Sequence, residues 1–153
     1  MELIIQKQEL VFDLGTAVVV QGVDLSQYDR NGNSIIDRTE TICNYYVLGE
    51  QVNSLRIVYR ASDGKIYKAN ASEYSQCERV VGMTLQAGNT GDRVLVVSSG
   101  LVYESGWGLE EGSYFLAQDG GVTKNPTGNI CEVGYAVDSN SMIIQKGIKI
   151  RRL

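Results

Sequence analysis

The sequence predicts an all-β chain, a small barrel or sandwich built from an internal duplication and preceded by an extended N-terminal arm. Three observations carry that reading. The 153 residues include 17 Gly, nine Tyr and one Pro, the composition of many short strands joined by tight turns. The stretch LRIVYRASDGKIYKANA, residues 55–71, is written again in GSYFLAQDGGVTKNPTG, residues 112–128. Beyond residue 55 no segment holds its apolar residues at a helical period of 3.6.

Taken in order, the chain opens on MELIIQKQELVFDLGTAVVVQG, with strands expected at 2–6, 9–12 and 16–22. A polar loop follows. Residues 37–51 are the one place where a helix fits, although Thr, Ile, Cys, Tyr and Val there favour strand. Strands at 54–59 and 65–69 flank Asp63-Gly64, and strands at 113–117 and 121–123 flank Asp119-Gly120. Asp-Gly between two β-forming runs is a hairpin signal, because the turn needs positive φ and Gly supplies it without a Cβ clash. Between and after these hairpins, strands are expected at 78–85, 93–97, 100–103, 131–137, 141–145 and 148–152. The last, within KGIKIRRL, reads as an edge strand with Ile148 and Ile150 inward and Lys149 and Arg151 outward.

The repetition continues past the hairpins. CERVVGMTLQAGNTGDRVLVVSSG and CEVGYAVDSNSMIIQKG match Val81, Gly82 and Leu85 to Val133, Gly134 and Val137, Val94–Val97 to Met142–Gln145, and Gly100 to Gly147. Two copies of one unit, neither able to bury its apolar face alone, are expected to pack together with approximate twofold symmetry. Residues 55–153 then form the duplicated β-domain, and residues 1–54 the attachment arm and polar loop.

Charge and composition narrow the function. The 14 basic and 18 acidic side chains leave a net charge of −4, with no basic stripe, so nucleic acid is not an expected partner. No apolar run approaches bilayer length and the N-terminus lacks a signal-peptide pattern, so no membrane anchor or export signal is expected. Cys43, Cys77 and Cys131 are odd in number and widely spaced, as in buried reduced thiols made in a cytosol. With no histidine, His-based catalysis and His-ligated metal lose their key residue.

DRNGNSIIDRTE, residues 29–40, places Asp29, Asn31, Asn33, Asp37 and Glu40 at positions 1, 3, 5, 9 and 12 of an EF-hand loop. Those oxygens at those intervals suit calcium. Ser34 replaces the usual Gly at the sixth position, and the flanks do not read as helices, so a solvated Asn/Asp turn is the alternative. YESGWGLEEGSYF gathers Glu104, Glu110 and Glu111 around Trp107, either a saccharide-stacking surface or a Trp capping the core beside a glycine turn.

In the order of its Asp-Gly hairpins and Val-Gly strands, the part from VYRASDGKIYKANA to CEVGYAVDSNSMIIQ resembles the small β-domain of tailed-bacteriophage virion proteins, such as capsid decoration proteins, head fibres and tail-fibre segments. The likeness covers about residues 55–147. It implies a non-enzymatic, trimeric structural part fixed to major capsid or other virion proteins at one end, synthesised in the host cytoplasm and resident in the virion. A tail-fibre or receptor- and carbohydrate-binding module is the alternative.

Overall fold

The structure is a computed structural model and describes residues 9–12, 16–19 and 41–153. The chain divides into two compact units, Met1–Glu40 and Thr41–Leu153. In the first, β1 (Glu9–Phe12) and β2 (Thr16–Val19) form an antiparallel hairpin with Leu10 opposite Val18 and Val11 opposite Ala17. The strand expected at 2–6 lies outside the described residues.

The second unit contains β3 (Ile42–Val47), β4 (Ile57–Arg60), β5 (Ile66–Lys68), a helix α1 (Tyr74–Glu78), β6 (Val80–Thr84) and β7 (Arg93–Tyr103). β8 (Gly112–Leu116), β9 (Val122–Thr123), β10 (Ile130–Asp138), β11 (Ser141–Ile144) and β12 (Lys149–Ile150) complete it. The antiparallel sheet is curled into a half-barrel. Its strand order, β5-β4-β6-β7-β11-β10-β8-β9, is one four-strand unit followed by its counterpart in reverse, the two joined where β7 pairs with β11. The duplication is thus written in the topology.

The repeated Val-Gly has a physical cause. In the β4–β6 ladder Val58 faces Gly82 and Tyr59 faces Val80, leaving Val81 as a bulge. In the β8–β10 ladder Tyr114 faces Gly134 and Phe115 faces Glu132, leaving Val133 as a bulge. After each bulge the glycine lies against the next strand. A Cβ on Gly82 would collide with the Val97 carbonyl, and one on Gly134 would sit 2.6 Å from the Ile143 carbonyl.

That contact fixes the alignment of the last strands. Val97 corresponds to Ile143, as their partners Met83 and Tyr135 also require, so the sequence match of Val94–Val97 to Met142–Gln145 is displaced by two residues. A shift of two keeps every side chain on its own face, so the apolar pattern does not reveal it. Gly100 and Gly147 are not equivalent either: Gly100 lies opposite Ile144 within the β7–β11 ladder, while Gly147 follows β11 and leaves room for the Glu132 carboxylate.

The two copies bury their strands differently. In the first, neighbouring residues enter different cores. Ile57 and Val97 join a large cluster with Met83, Tyr114, Leu116, Cys131 and Met142, whereas Val58 and Val96 join a smaller one with Leu48, Val52, Ile66 and Val94. A sheet buried on both faces reads as continuous apolar runs, here IVY and VLVV. Leu48, which follows β3, bridges to Ile66 in parallel and closes the smaller core. The second copy alternates instead, with Met142 and Ile144 buried and Ile143 37% exposed between them.

Four expectations change. The compact unit begins at Thr41, not at 55, because β3 pairs with β7 yet has no counterpart in the second copy and carries no repeat signal. Residues 42–47 are strand, not helix. α1 has five residues, too few to show a period, and buries Cys77. Finally, β12 pairs with β10 as expected of an edge, but Ile148 and Ile150 are 62% and 49% exposed. Lys149 stands opposite buried Cys131, and directly opposed residues share a face. Its ammonium reaches out to the Glu78 carbonyl at 3.4 Å.

Candidate functional site

A cavity of about 550 Å³ opens where the segment after β3, the β4–β5 hairpin and the β8–β9 turn meet, lined by Gln51, Asn53, Arg56, Lys68, Gln118 and Asp119. Gln51 and Asn53 flank Val52, which is 1% exposed and tied to Gly88 by reciprocal bonds of 3.0 and 2.9 Å. Along an extended segment the neighbours of an inward residue point outward. Arg56 is set by buried Thr84, whose Oγ1 accepts from the Arg56 amide at 3.0 Å and donates to the Asn53 carbonyl at 2.8 Å. Lys68 ends β5, its amide donating to the Glu50 carboxylate at 2.7 Å.

The third wall is the second hairpin turn. Asp119 and Gly120 have φ of 50° and 71°, positive at both central residues as a type I′ turn requires. The turn docks on the first copy: the Ile57 amide donates to the Gly120 carbonyl at 2.8 Å, and the Gly120 amide donates to the Ala69 carbonyl at 2.7 Å. Two described non-glycine residues hold positive φ, Leu55 at 59° and Asp119 at 50°. Asp119 lines this cavity, and Leu55, packed against the large core, lies in the chain between the lining residues Asn53 and Arg56. A bulky residue in the left-handed region costs about 1 kcal/mol and persists only where its surroundings enforce it. Here the enforcing bond is Leu55 N–H to the Thr84 carbonyl at 2.7 Å.

The charges set this cavity apart. Neither the Arg56 guanidinium nor the Lys68 ammonium makes a hydrogen bond or ion pair with any described residue. The repeat supplies a control. The ladders place Lys68 opposite Val58 and carry it onto Lys124, two residues past Val122 opposite Leu116. Lys124 is neutralised, 3.3 Å from the Glu110 carboxylate and 3.0 Å from the Glu111 carbonyl, and it lies over Gly112, the counterpart of Arg56. Where the second copy has a paired lysine over a glycine, the first has two cations unpaired among the described residues.

Elsewhere, the row Leu101, Ile143, Tyr135 crosses β7, β11 and β10 on the outer face, with Ile143 37% and Tyr135 41% exposed. A groove of about 280 Å³ beside it is lined by Glu132, Gly134, Tyr135, Ile143, Gln145 and Gly147. Trp107 is half-buried against the large core. Of the acids around it, Glu110 is held by Lys124 and Glu111 is 3.4 Å from the Tyr135 hydroxyl, so these carboxylates do not converge on the indole.

The calcium candidates Asp29, Asn31, Asn33, Asp37 and Glu40 lie outside the described residues, and among the described residues no three His, Cys, Asp or Glu side chains group as metal ligands. Cys77 and Cys131 are buried, Cys43 half-buried, and all three are reduced, outside any disulfide. The Cys131 thiol points 3.8 Å from the Cys77 carbonyl, and burial pushes its pKa up to about 12. Both buried thiols are neutral and poor nucleophiles at physiological pH. No family model matches the chain, and no curated protein matches it.

Arg56, Lys68 and Gln118 escaped the sequence reading, which treated each Asp-Gly only as a turn. The signal was present in the duplication: aligning the hairpins sets Arg56 against Gly112, the kind of substitution that changes a surface without changing a fold.

Proposed function

We propose that the chain is a non-enzymatic structural component of a bacteriophage virion, a capsid decoration or head-fibre protein. Its N-terminal unit attaches to major capsid or other virion proteins, and its β unit projects from the particle as a homotrimer. The observation that supports this reading is the division into a short N-terminal unit and a separate curled β unit whose outer face leaves Ile143 and Tyr135 exposed beside half-buried Leu101. Uncovered apolar rows of this kind belong to surfaces that assemble. The second reading, a receptor- or carbohydrate-binding module, is favoured by the polar cavity between the copies.

Deleting residues 1–22 tests the attachment: the β unit keeps its circular dichroism while the protein disappears from purified particles. Particles that carry the truncated protein at full occupancy refute it. Native mass spectrometry tests the assembly, with a trimer expected for the wild type and monomer for Tyr135→Ser/Ile143→Ser.

A further inference from the structure

We propose that the cavity lined by Arg56 and Lys68 binds an acidic saccharide, with the sugar carboxylate held by the two cations and its hydroxyls by the surrounding amides and Asp119. This goes beyond the virion role and does not depend on it. The lining is the argument. Arg56 and Lys68 are half-buried residues whose charged ends are unpaired among the described residues, and a planar guanidinium is the side chain best shaped to take a carboxylate on two parallel hydrogen bonds. Gln51, Asn53 and Gln118 add donors and acceptors in equal measure, and Asp119 adds acceptors. Such a mixture fits a ligand with one negative group and several hydroxyls.

A phosphate is the weaker fit, because its fuller charge would have to approach the Asp119 carboxylate that shares the cavity. The opening of about 550 Å³ lies within the roughly 300–1,000 Å³ of small-molecule sites. Backbone bonds hold the lining in place, from Leu55 N–H to the Thr84 carbonyl beside Arg56, and between Gly120 and Ile57 and Ala69 at the turn. The paired Lys124 shows that this repeat carries the means to neutralise a lysine at this position, and among the described residues Lys68 has no such partner.

The test is a backbone amide NMR titration of the full chain with D-glucuronate, D-glucose and inorganic phosphate. D-glucuronate and D-glucose differ only in the carboxylate. Saturable shifts at Gln51, Asn53, Lys68, Gln118 and Asp119 with glucuronate, and none with glucose, are expected. Arg56→Ala should weaken glucuronate binding about tenfold, the worth of one charged hydrogen-bonded pair, while Lys124→Ala leaves it unchanged. Should Arg56→Ala alter the fold, the amide spectrum reports it, and Arg56→Lys then serves, retaining charge and losing the fork. Equal binding of glucose removes the role of the cations. Stronger binding of phosphate overturns the saccharide assignment, and no saturable shift with any probe overturns the site.

Discussion

The two Asp-Gly turns begin as the same sequence signal and end in opposite surroundings. At the first, Gly64 has φ of 82° and open space around it, the nearest atom to an added Cβ being the Arg60 guanidinium at 3.8 Å. Asp63 fastens this turn from outside, accepting from the Lys65 amide at 2.9 Å and the Tyr67 hydroxyl at 2.6 Å. At the second, Gly120 is buried, and an added Cβ would sit 2.7 Å from the Ile57 carbonyl. There the turn is fastened by another copy's backbone. The backbones differ too, with positive φ at Gly64 alone in the first turn and at both Asp119 and Gly120 in the second: one turn is a lid on its own hairpin, the other a key in its neighbour.

The sharpest test of that contrast is Gly120→Ala. Losing two buried backbone bonds, each worth about 1–3 kcal/mol when a partner is left unsatisfied, and adding left-handed strain should destabilise the protein by about 3 kcal/mol or more. Chemical denaturation reads it directly. Next comes Gly64→Ala, where only the positive φ is lost and the expected cost is about 1 kcal/mol. If the two substitutions cost the same, the difference in burial carries no energetic weight. Asp119→Ala should cost slightly less, about 0.5–1 kcal/mol, since Asp tolerates the left-handed region better than Ala, and Asp119→Asn should be neutral in the same assay.

The smallest effect is in acid and base. The Tyr67 hydroxyl bond and the Lys65 amide hold the Asp63 carboxyl below its usual pKa of 3.8, and the same bond holds Tyr67 above its usual 10.0. A lowered carboxyl favours the fold above the unfolded pKa, and that contribution is lost as pH falls through the folded one. The raised phenol contributes below pH 10.0 and loses its contribution as pH rises further. Asp63→Asn should therefore flatten the stability profile at both extremes. A melting curve with unchanged slopes at pH 3 and pH 10.5 would show that this bond does not form in solution.

The all-β class, both hairpins and the order of the repeat were legible because period 2, turn glycines and β-branched runs are local properties. β3 was not, since a strand placed by pairing with a distant partner needs no local signature of its own. The outward turn of Ile148 and Ile150 was hidden for a related reason: alternation tells which residues share a face, and only the partner strand tells which face is inside. The cavity was the least visible, because its residues come from three separate segments brought together by the docking of a turn. Only the mismatch between Arg56 and Gly112 hinted at it.

β7 has a further consequence. Its eleven residues pair with β3 and β6 along the first part and with β11 along the last, so one unbroken strand is a structural member of both copies. Melting either copy strips partners from the other, which removes the free-energy minimum that a half-folded chain would occupy. Residues 41–153 should unfold in one cooperative step, with calorimetric and van't Hoff enthalpies in agreement. Because the pairings that close the sheet join residues far apart in sequence, such as Ile42 with Ser99, the unit should also fold slowly for its size.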